Sequence, residues 1–276
     1  MTLKKTLTNN LKHDTIITLN NILYQRKKQM NFELNKVYNM DNLEGMTQLP
    51  DNFFKCTITS PPYNVGLNHI YEEGKQTKYK TKKEDIKENY FEWISVRLNE
   101  MIRVSEYVFF NIQSLAKNKV EIIMLLNEYK DFYKDEIVWT KQGQPAMEKG
   151  VLNSCFEHIY IFSKNRPEMR KFYGYDFRGT IKNVQTFGQV GKNPYTSIHK
   201  AQFPQSLPDF FITNFCKAGD NVLDPFCGIG TTGVSAIQNG CNFIGFDVEQ
   251  EYVTISNDRL MGHIQNEVDK MEVLST

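Results

Sequence analysis

One segment of the chain has the residue types and spacing of a nucleotide-binding turn. Residues Gly228 to Gly233 match the pattern GxGxxG, follow an apolar strand and precede a helix, and Asp247 ends the next strand. Glycines let the backbone approach a ligand closely, and a carboxylate after the following strand can accept hydrogen bonds from ribose hydroxyls. The glycine pattern alone does not separate NAD from S-adenosylmethionine.

The residues before the glycines favour one of these two cofactors. Asp224 places a carboxylate at the start of the turn, where it would repel a bound pyrophosphate and suit a cofactor with a cationic amino acid moiety. A dinucleotide-binding half would also need more strands than the one that fits before Thr276. The turn therefore predicts S-adenosylmethionine binding, with NAD binding or a purely structural turn as the alternatives.

A second segment, Ser60 to Tyr63, follows a buried apolar strand and has the sequence Ser-Pro-Pro-Tyr. It is compatible with an ordinary turn, because proline cannot donate to a strand ladder. It also suits an amino group on an aromatic ring, whose delocalised lone pair is poorly nucleophilic. Ser60 and the Pro61 carbonyl, which the prolines hold in place, can accept both N–H bonds and draw the nitrogen toward tetrahedral geometry, while Tyr63 stacks on the ring.

Short strand-like runs alternate with helical runs from Lys36 onward, and both chemical segments follow the carboxyl end of a strand. Strands are predicted at 37–38, 54–59, 107–112, 136–139, 158–162, 221–224 and 243–247. Helices are predicted at 42–49, 93–102, 120–126 and 204–216, from about 231, and at the C-terminus. This alternation predicts an α/β fold with a doubly wound, mostly parallel sheet.

Composition excludes several classes of protein. With 276 residues, 40% of them hydrophobic, the chain can bury the core of one large α/β domain. It has 33 basic and 32 acidic residues, so any nucleic-acid surface must be local. Five cysteines without a CxxC pair argue against a zinc ribbon or a disulfide framework, and no metal site is predicted. No apolar run approaches the ~20 residues of a membrane span and no secretory signal is seen, so we expect a cytoplasmic protein.

The two segments together resemble a known family. TSPPY followed much later by DPFCGIGTTG is similar to the amino-methyltransferases of bacterial and phage DNA in the permuted β-class order, where the catalytic motif precedes the cofactor motif. The similarity runs from about residue 36 to about residue 260. It implies a Rossmann-like class I methyltransferase fold, S-adenosylmethionine as the cofactor, and methyl transfer to an exocyclic amino group in double-stranded DNA.

The resemblance also assigns roles to individual residues. The catalytic motif becomes Ser60, Pro61, Pro62 and Tyr63, and the cofactor-binding set becomes Asp224, Phe226, Gly228, Gly230 and the ribose-binding Asp247. Asp41 takes the place of an acid near the cofactor adenine, and the segment around His199 resembles one that lines the cofactor pocket. A capping or loop role for His199 is an equal alternative.

The methylated base depends on Ser60. Family members with Asp or Asn before Pro-Pro mostly act on adenine, whereas Ser resembles the cytosine N4 enzymes, so we favour cytosine N4 over adenine N6. Either target lies inside the duplex, which implies base flipping. An RNA or protein amino-methyltransferase and a DNA-binding module without catalysis are further alternatives. The sequence leaves open whether the protein works with a cognate restriction endonuclease and whether it forms a homodimer.

Three regions outside the motifs are distinguished by composition. Residues 1–35 are interpreted as an N-terminal extension to a catalytic domain at 36–276. Basic and aromatic residues alternate at 163–196, including Arg166, Arg170 and Arg178, which predicts an inserted target-recognition element. Five lysines between 75 and 83 are interpreted either as a backbone clamp near the flipped base or as a solvated loop.

Overall fold

A computed structural model of the chain describes residues 32–64, 89–141, 150, 152, 154–175, 177, 179–188, 190–191, 193–199 and 201–275, and only the backbone of residues 267–275. The strands are β1 (Lys36–Asn39), β2 (Phe54–Thr59), β3 (Ser105–Ile112), β4 (Tyr133–Thr140), β5 (Phe156–Ser163), β6 (Val184–Gln185), β7 (Asn221–Asp224) and β8 (Asn242–Asp247). The helices are α1 (Asn42–Thr47), α2 (Tyr90–Val104), α3 (Lys119–Glu128), α4 (Ser206–Phe215), α5 (Thr231–Gln238) and α6 (Gln250–Ser275). Every strand and helix predicted from the sequence is confirmed; β6 was not predicted.

In the described residues the strands form one eight-stranded sheet with the order β1-β8-β7-β2-β3-β5-β4-β6. β5 is antiparallel to its neighbours β3 and β4, and the other strands run in one direction. The parallel strands therefore end at a common edge, which we call the carboxyl edge. In open α/β sheets ligands bind outside this edge, where the strand order reverses. Here the order reverses at β2 and β7, whose ends carry the two chemical segments.

Helices cover both faces of the sheet because its central strands, such as β2 and β3, are buried on both sides. One core joins α4, α5 and α6 to one face, with Phe211, Val234 and Leu260 buried against it. The other core joins α1, α2 and α3 to the opposite face through Met46, Leu98 and Leu125 among others. The predicted doubly wound fold is confirmed. No helix in the described residues is long and apolar enough to cross a membrane.

The predicted recognition element at 163–196 runs along the height of the sheet. It leaves β5 at Ser163, which pairs with Tyr107 near the start of β3, at the edge opposite the carboxyl edge. Its aromatic residues Phe172 and Tyr175 pack against Tyr107 and Phe215 instead of facing outward. The chain then adds β6 beside β4. Much of the aromatic half of the pattern therefore belongs to the protein core.

Candidate active site

The catalytic and cofactor segments meet through one buried carboxylate. Asp224 ends β7 and is 0% exposed. It accepts hydrogen bonds from the Thr59 hydroxyl at 2.7 Å, the Thr232 hydroxyl at 2.7 Å and the Phe226 backbone N–H at 3.1 Å. Thr59 immediately precedes Ser60, and Thr232 lies in the first turn of α5. Asp224 thus joins the end of the catalytic strand to the helix that follows the glycine turn.

The environment of Asp224 also determines how its charge can act. Burial raises the pKa of its carboxyl group to about 6, and the three hydrogen bonds oppose this rise. Because the carboxylate is fully buried, its attraction for a cationic ligand would act through the surrounding protein and not by direct contact. The structure therefore gives Asp224 an architectural role that the sequence did not predict.

The glycine turn lies against the end of β8. The Gly228 N–H donates to Asp247 Oδ2 at 2.8 Å, and the Glu249 N–H donates to Asp247 Oδ1 at 2.9 Å. Gly228 and Gly230 have φ of +53° and +78°, a backbone region that residues other than glycine rarely adopt. The turn is therefore held against Asp247 in a conformation that needs glycine. Each oxygen of Asp247 keeps a further lone pair for a ligand hydroxyl.

His199 lies over the same turn. A Cβ atom added to Gly228 would come within 2.9 Å of His199 Nε2, and the His199 ring packs edge-on against Tyr252 at 4.8 Å. Burial lowers the pKa of His199 to about 4, so the ring is neutral at pH 7. Its Nδ1 atom is buried and has no hydrogen-bond partner among the described residues. An unsatisfied polar atom beside a glycine turn fits a pocket that a polar ligand completes.

Asp41 follows β1 at the carboxyl edge. Its Oδ1 atom caps α1 by accepting from the Leu43 N–H at 2.8 Å, and its Oδ2 atom accepts from Arg97 Nη2 at 2.7 Å. Arg97 also donates to Asn42 Oδ1 at 2.7 Å, and Asn42 in turn donates to the Pro225 carbonyl at 2.8 Å. The two helices α1 and α2 are thereby tied to the cofactor turn. Asn42 and Arg97 were not predicted from the sequence.

The backbone of the catalytic motif is held from two sides. The Tyr90 hydroxyl donates to the Pro62 carbonyl at 2.8 Å, and Asn118 Nδ2 donates to the Tyr63 carbonyl at 2.7 Å. Within the described part of the chain, no residue donates to the Pro61 carbonyl. This pattern agrees with the expectation that the Pro61 carbonyl is kept for a ligand.

The Ser60 and Tyr63 side chains belong to a partly buried polar cluster, which we call the Glu157 cluster: Ser60, Tyr63, Asn111, Lys141 and Glu157. Asn111 ends the apolar run of β3, and Glu157 lies at the start of β5. Both are buried, and Glu157 also forms an ion pair with Lys141. Asn111 and Glu157 were not predicted from the sequence, and the signal that was overlooked is a polar residue near one end of each of two mostly apolar strands.

The predicted DNA contacts occupy different places. Arg166 and Arg170 are exposed, but they follow β5 at the edge opposite Ser60, and Arg170 pairs with Asp135 at 3.3 Å. Eight residues of β5, about 25 Å of strand, separate this edge from the carboxyl edge. Arg178, the lysines between 75 and 83 and residues 1–31 lie outside the described residues.

Comparison with known proteins decides the family. The chain matches the N6_N4_Mtase family model, described as a DNA methylase, over residues 54–258. The chain belongs to this family. The predicted resemblance to DNA amino-methyltransferases is therefore confirmed, and the protein is a DNA amino-methyltransferase.

Individual relatives agree with this assignment. The type II methyltransferase M.BglII of Bacillus subtilis is 25% identical over 265 residues, which cover 83% of this chain and 69% of the relative. The solved structure of PvuII DNA methyltransferase (cytosine-N4-specific) aligns with a TM-score of 0.64 at 18% identity, over 84% of this chain and 90% of the PvuII chain. A complex of M1.HpyAVI with SAM aligns with a TM-score of 0.54 at 21% identity, over 82% of this chain and 98% of the M1.HpyAVI chain. These two structures support the fold.

Proposed function

We propose that the protein transfers a methyl group from S-adenosylmethionine to the exocyclic amino group of a base flipped out of DNA. The observation that carries the proposal is the bridge through Asp224, because it holds Ser60 and the glycine turn at adjacent strand ends. A donor lying on the turn and an amino group lying on the motif would then meet at the carboxyl edge.

The residues around the glycine turn fit S-adenosylmethionine. Among the described residues, each Asp247 oxygen accepts one hydrogen bond and keeps a lone pair at the end of β8, where ribose hydroxyls would bind, and the buried Nδ1 atom of His199 has no partner. Asp41 lies two residues beyond Asn39, which pairs with Asp247, on the side expected for the adenine. When bound, S-adenosylmethionine supplies a methyl group on a positively charged sulfur that leaves as a neutral thioether.

The chain's own residues then prepare the nucleophile. Ser60 Oγ and the Pro61 carbonyl accept the two N–H bonds of the target amino group, which concentrates its lone pair toward the methyl group. Transfer would be a direct displacement in which the new nitrogen–carbon bond replaces the carbon–sulfur bond, and the nitrogen would release one proton to solvent. No covalent enzyme intermediate is needed. Burial raises the pKa of Cys227 far above its usual range, which suits packing and not a thiolate.

We favour cytosine N4 as the acceptor, with adenine N6 as the alternative. The proposal rests on Ser60, whose side chain is shorter than the Asp or Asn typical of adenine enzymes. A short side chain would hold the base closer to the strand end, which suits the smaller pyrimidine. The Pro61 carbonyl can serve either base.

Nucleoside mass spectrometry of DNA from cells that express the protein tests this choice directly. N4-methylcytosine above the level of a Ser60→Ala, Pro62→Ala control supports it. N6-methyladenine without N4-methylcytosine would replace cytosine by adenine and leave the reaction class unchanged. Transfer of a radiolabelled methyl group to RNA or protein but not to duplex DNA would contradict DNA as the substrate.

A further inference from the structure

The Glu157 cluster lies in one row across the sheet at the carboxyl edge. Ile58 pairs with Phe109, and Asn111 pairs with Ile159, so the side chains of Ser60, Asn111 and Glu157 project from the same face of neighbouring strands. Lys141 follows the last residue of β4 and joins the row from the other side of β5. The residue types in this row are polar, whereas the face below them is apolar.

Hydrogen bonds connect the row in a definite order. Tyr63 donates its hydroxyl proton to Glu157 Oε2 at 2.7 Å, and the Ser60 hydroxyl lies 2.9 Å from the Tyr63 hydroxyl. Asn111 Nδ2 donates to Glu157 Oε2 at 2.7 Å and to the Tyr63 hydroxyl at 2.8 Å. Lys141 Nζ donates to the other oxygen of Glu157.

The carboxylate determines the direction of every proton in this chain. A carboxylate can only accept, so the single proton of Tyr63 points to Glu157. The Tyr63 oxygen can then only accept from its other neighbours, and the Ser60 hydroxyl must donate to it. Rotating the Asn111 amide by half a turn would bring its oxygen against the Glu157 carboxylate, and the repulsion between the two oxygens disfavours that orientation. Asn111 therefore donates to Glu157 and Tyr63 and does not accept from them. The one proton of Ser60 is therefore directed inward.

We infer that Glu157, acting through Tyr63, is a positioning residue that makes Ser60 an acceptor for the target amino group. This inference rests on the proposed function, in which Ser60 Oγ receives an N–H bond from the base. A serine hydroxyl by itself can turn its proton toward the ligand, where it would oppose that bond. With its proton engaged by Tyr63, Ser60 presents only lone pairs. The relay gives a serine the acceptor character that a carboxylate has without assistance.

Two substitutions interrupt the relay and keep the shape of the side chain that is replaced. Tyr63→Phe keeps the aromatic ring and removes the hydroxyl. Glu157→Gln replaces an acceptor-only group by one that can donate. Each is expected to lower the single-turnover methylation rate about tenfold, the equivalent of one net hydrogen bond, and to leave the Kd for S-adenosylmethionine unchanged.

A matched control removes a hydroxyl of the same kind elsewhere. The Tyr129 hydroxyl donates to the Ser95 carbonyl at 2.7 Å, and its hydrogen bonds among the described residues lead to α2 and not to the Glu157 cluster. Tyr129→Phe should keep the wild-type rate. Cofactor affinity, measured by calorimetry for every variant, reports whether the fold is intact.

The decisive measurement repeats Tyr63→Phe and Glu157→Gln in a Ser60→Ala background, with enzyme in excess over radiolabelled substrate. If both residues act through Ser60, each lowers the residual rate by less than about twofold. An equal loss in both backgrounds would show a role independent of Ser60 and overturn the inference. Wild-type rates in Tyr63→Phe would overturn the inference alone. A wild-type protein that transfers no methyl group to DNA would overturn the proposed function and the inference with it.

Discussion

Cofactor affinity is expected to depend on pH through Asp247. Burial raises the pKa of this carboxyl group from 3.8 to about 7, and the N–H donors of Gly228 and Glu249 oppose the rise. Nearby negative charges, Asp224 and Glu249, raise it further. The cofactor-free protein therefore holds a proton on Asp247 below neutral pH. Ribose hydroxyls donate more strongly to a carboxylate than to a carboxylic acid, so binding should release this proton.

The sign and the size follow from that linkage. Because the ionised form binds best, affinity falls as the pH falls through the pKa of the free protein. With this pKa at about 7 and a much lower pKa in the complex, the Kd at pH 6 should exceed that at pH 8 about tenfold, or ~1.4 kcal/mol. Removing the carboxylate in Asp247→Ala should weaken binding at least about tenfold at pH 8, because a charged acceptor contributes roughly 1.5–3 kcal/mol.

Isothermal titration calorimetry from about pH 6 to about pH 8, in buffers of different ionisation enthalpy, measures both the Kd and the protons released. The α-amino group of the cofactor titrates near its reference pKa of ~7.7–8.0 in every experiment, so the informative quantity is the difference between wild type and Asp247→Asn. Asp258→Asn, a change of the same charge at an exposed position of α6, should behave as wild type. Identical pH curves for wild type and Asp247→Asn, or a wild-type Kd that does not change, would refute the role given to Asp247.

Three further outcomes are expected from the site. Pro62→Ala should reduce turnover far more than cofactor affinity, because this residue shapes the base side of the site; steady-state kinetics with calorimetry checks this, and loss of both would indicate misfolding. Gly228→Ala should abolish measurable cofactor binding in calorimetry, since its φ is +53° and its new Cβ would meet His199 Nε2 at 2.9 Å; unchanged affinity would contradict the turn geometry. Asp224→Asn should lower the thermal midpoint and slow methyl transfer together, because one of its three donors loses its acceptor; a normal rate in a destabilised variant would show that the bridge serves stability alone.

Local sequence determined the elements and the two motifs. The mostly apolar runs 107–112 and 221–224 form strands as predicted. A strand that is covered on both faces of the sheet needs apolar residues at consecutive positions, and this pattern is visible in the sequence. Proline after Thr59 and glycine after Asp224 stop the strands where the chemistry begins. Both motifs were predicted to follow the carboxyl ends of strands, and the parallel pairing of β2 with β7 puts those two ends side by side.

Tertiary structure alone decided which side chains share the site. Glu157 and Asn111 are 46 positions apart in the sequence, and the antiparallel pairing of β5 with β3 brings them together. Because β5 runs antiparallel to β3, Arg166 lies at the edge opposite the carboxyl edge. The composition of its segment, 163–196, had predicted a target-recognition element. Asp224 was predicted to suit a cationic cofactor, and the tertiary structure adds that its carboxylate is fully buried between the Thr59 and Thr232 hydroxyls. Strand direction and packing are properties of distant partners, so residue types near one position do not encode them.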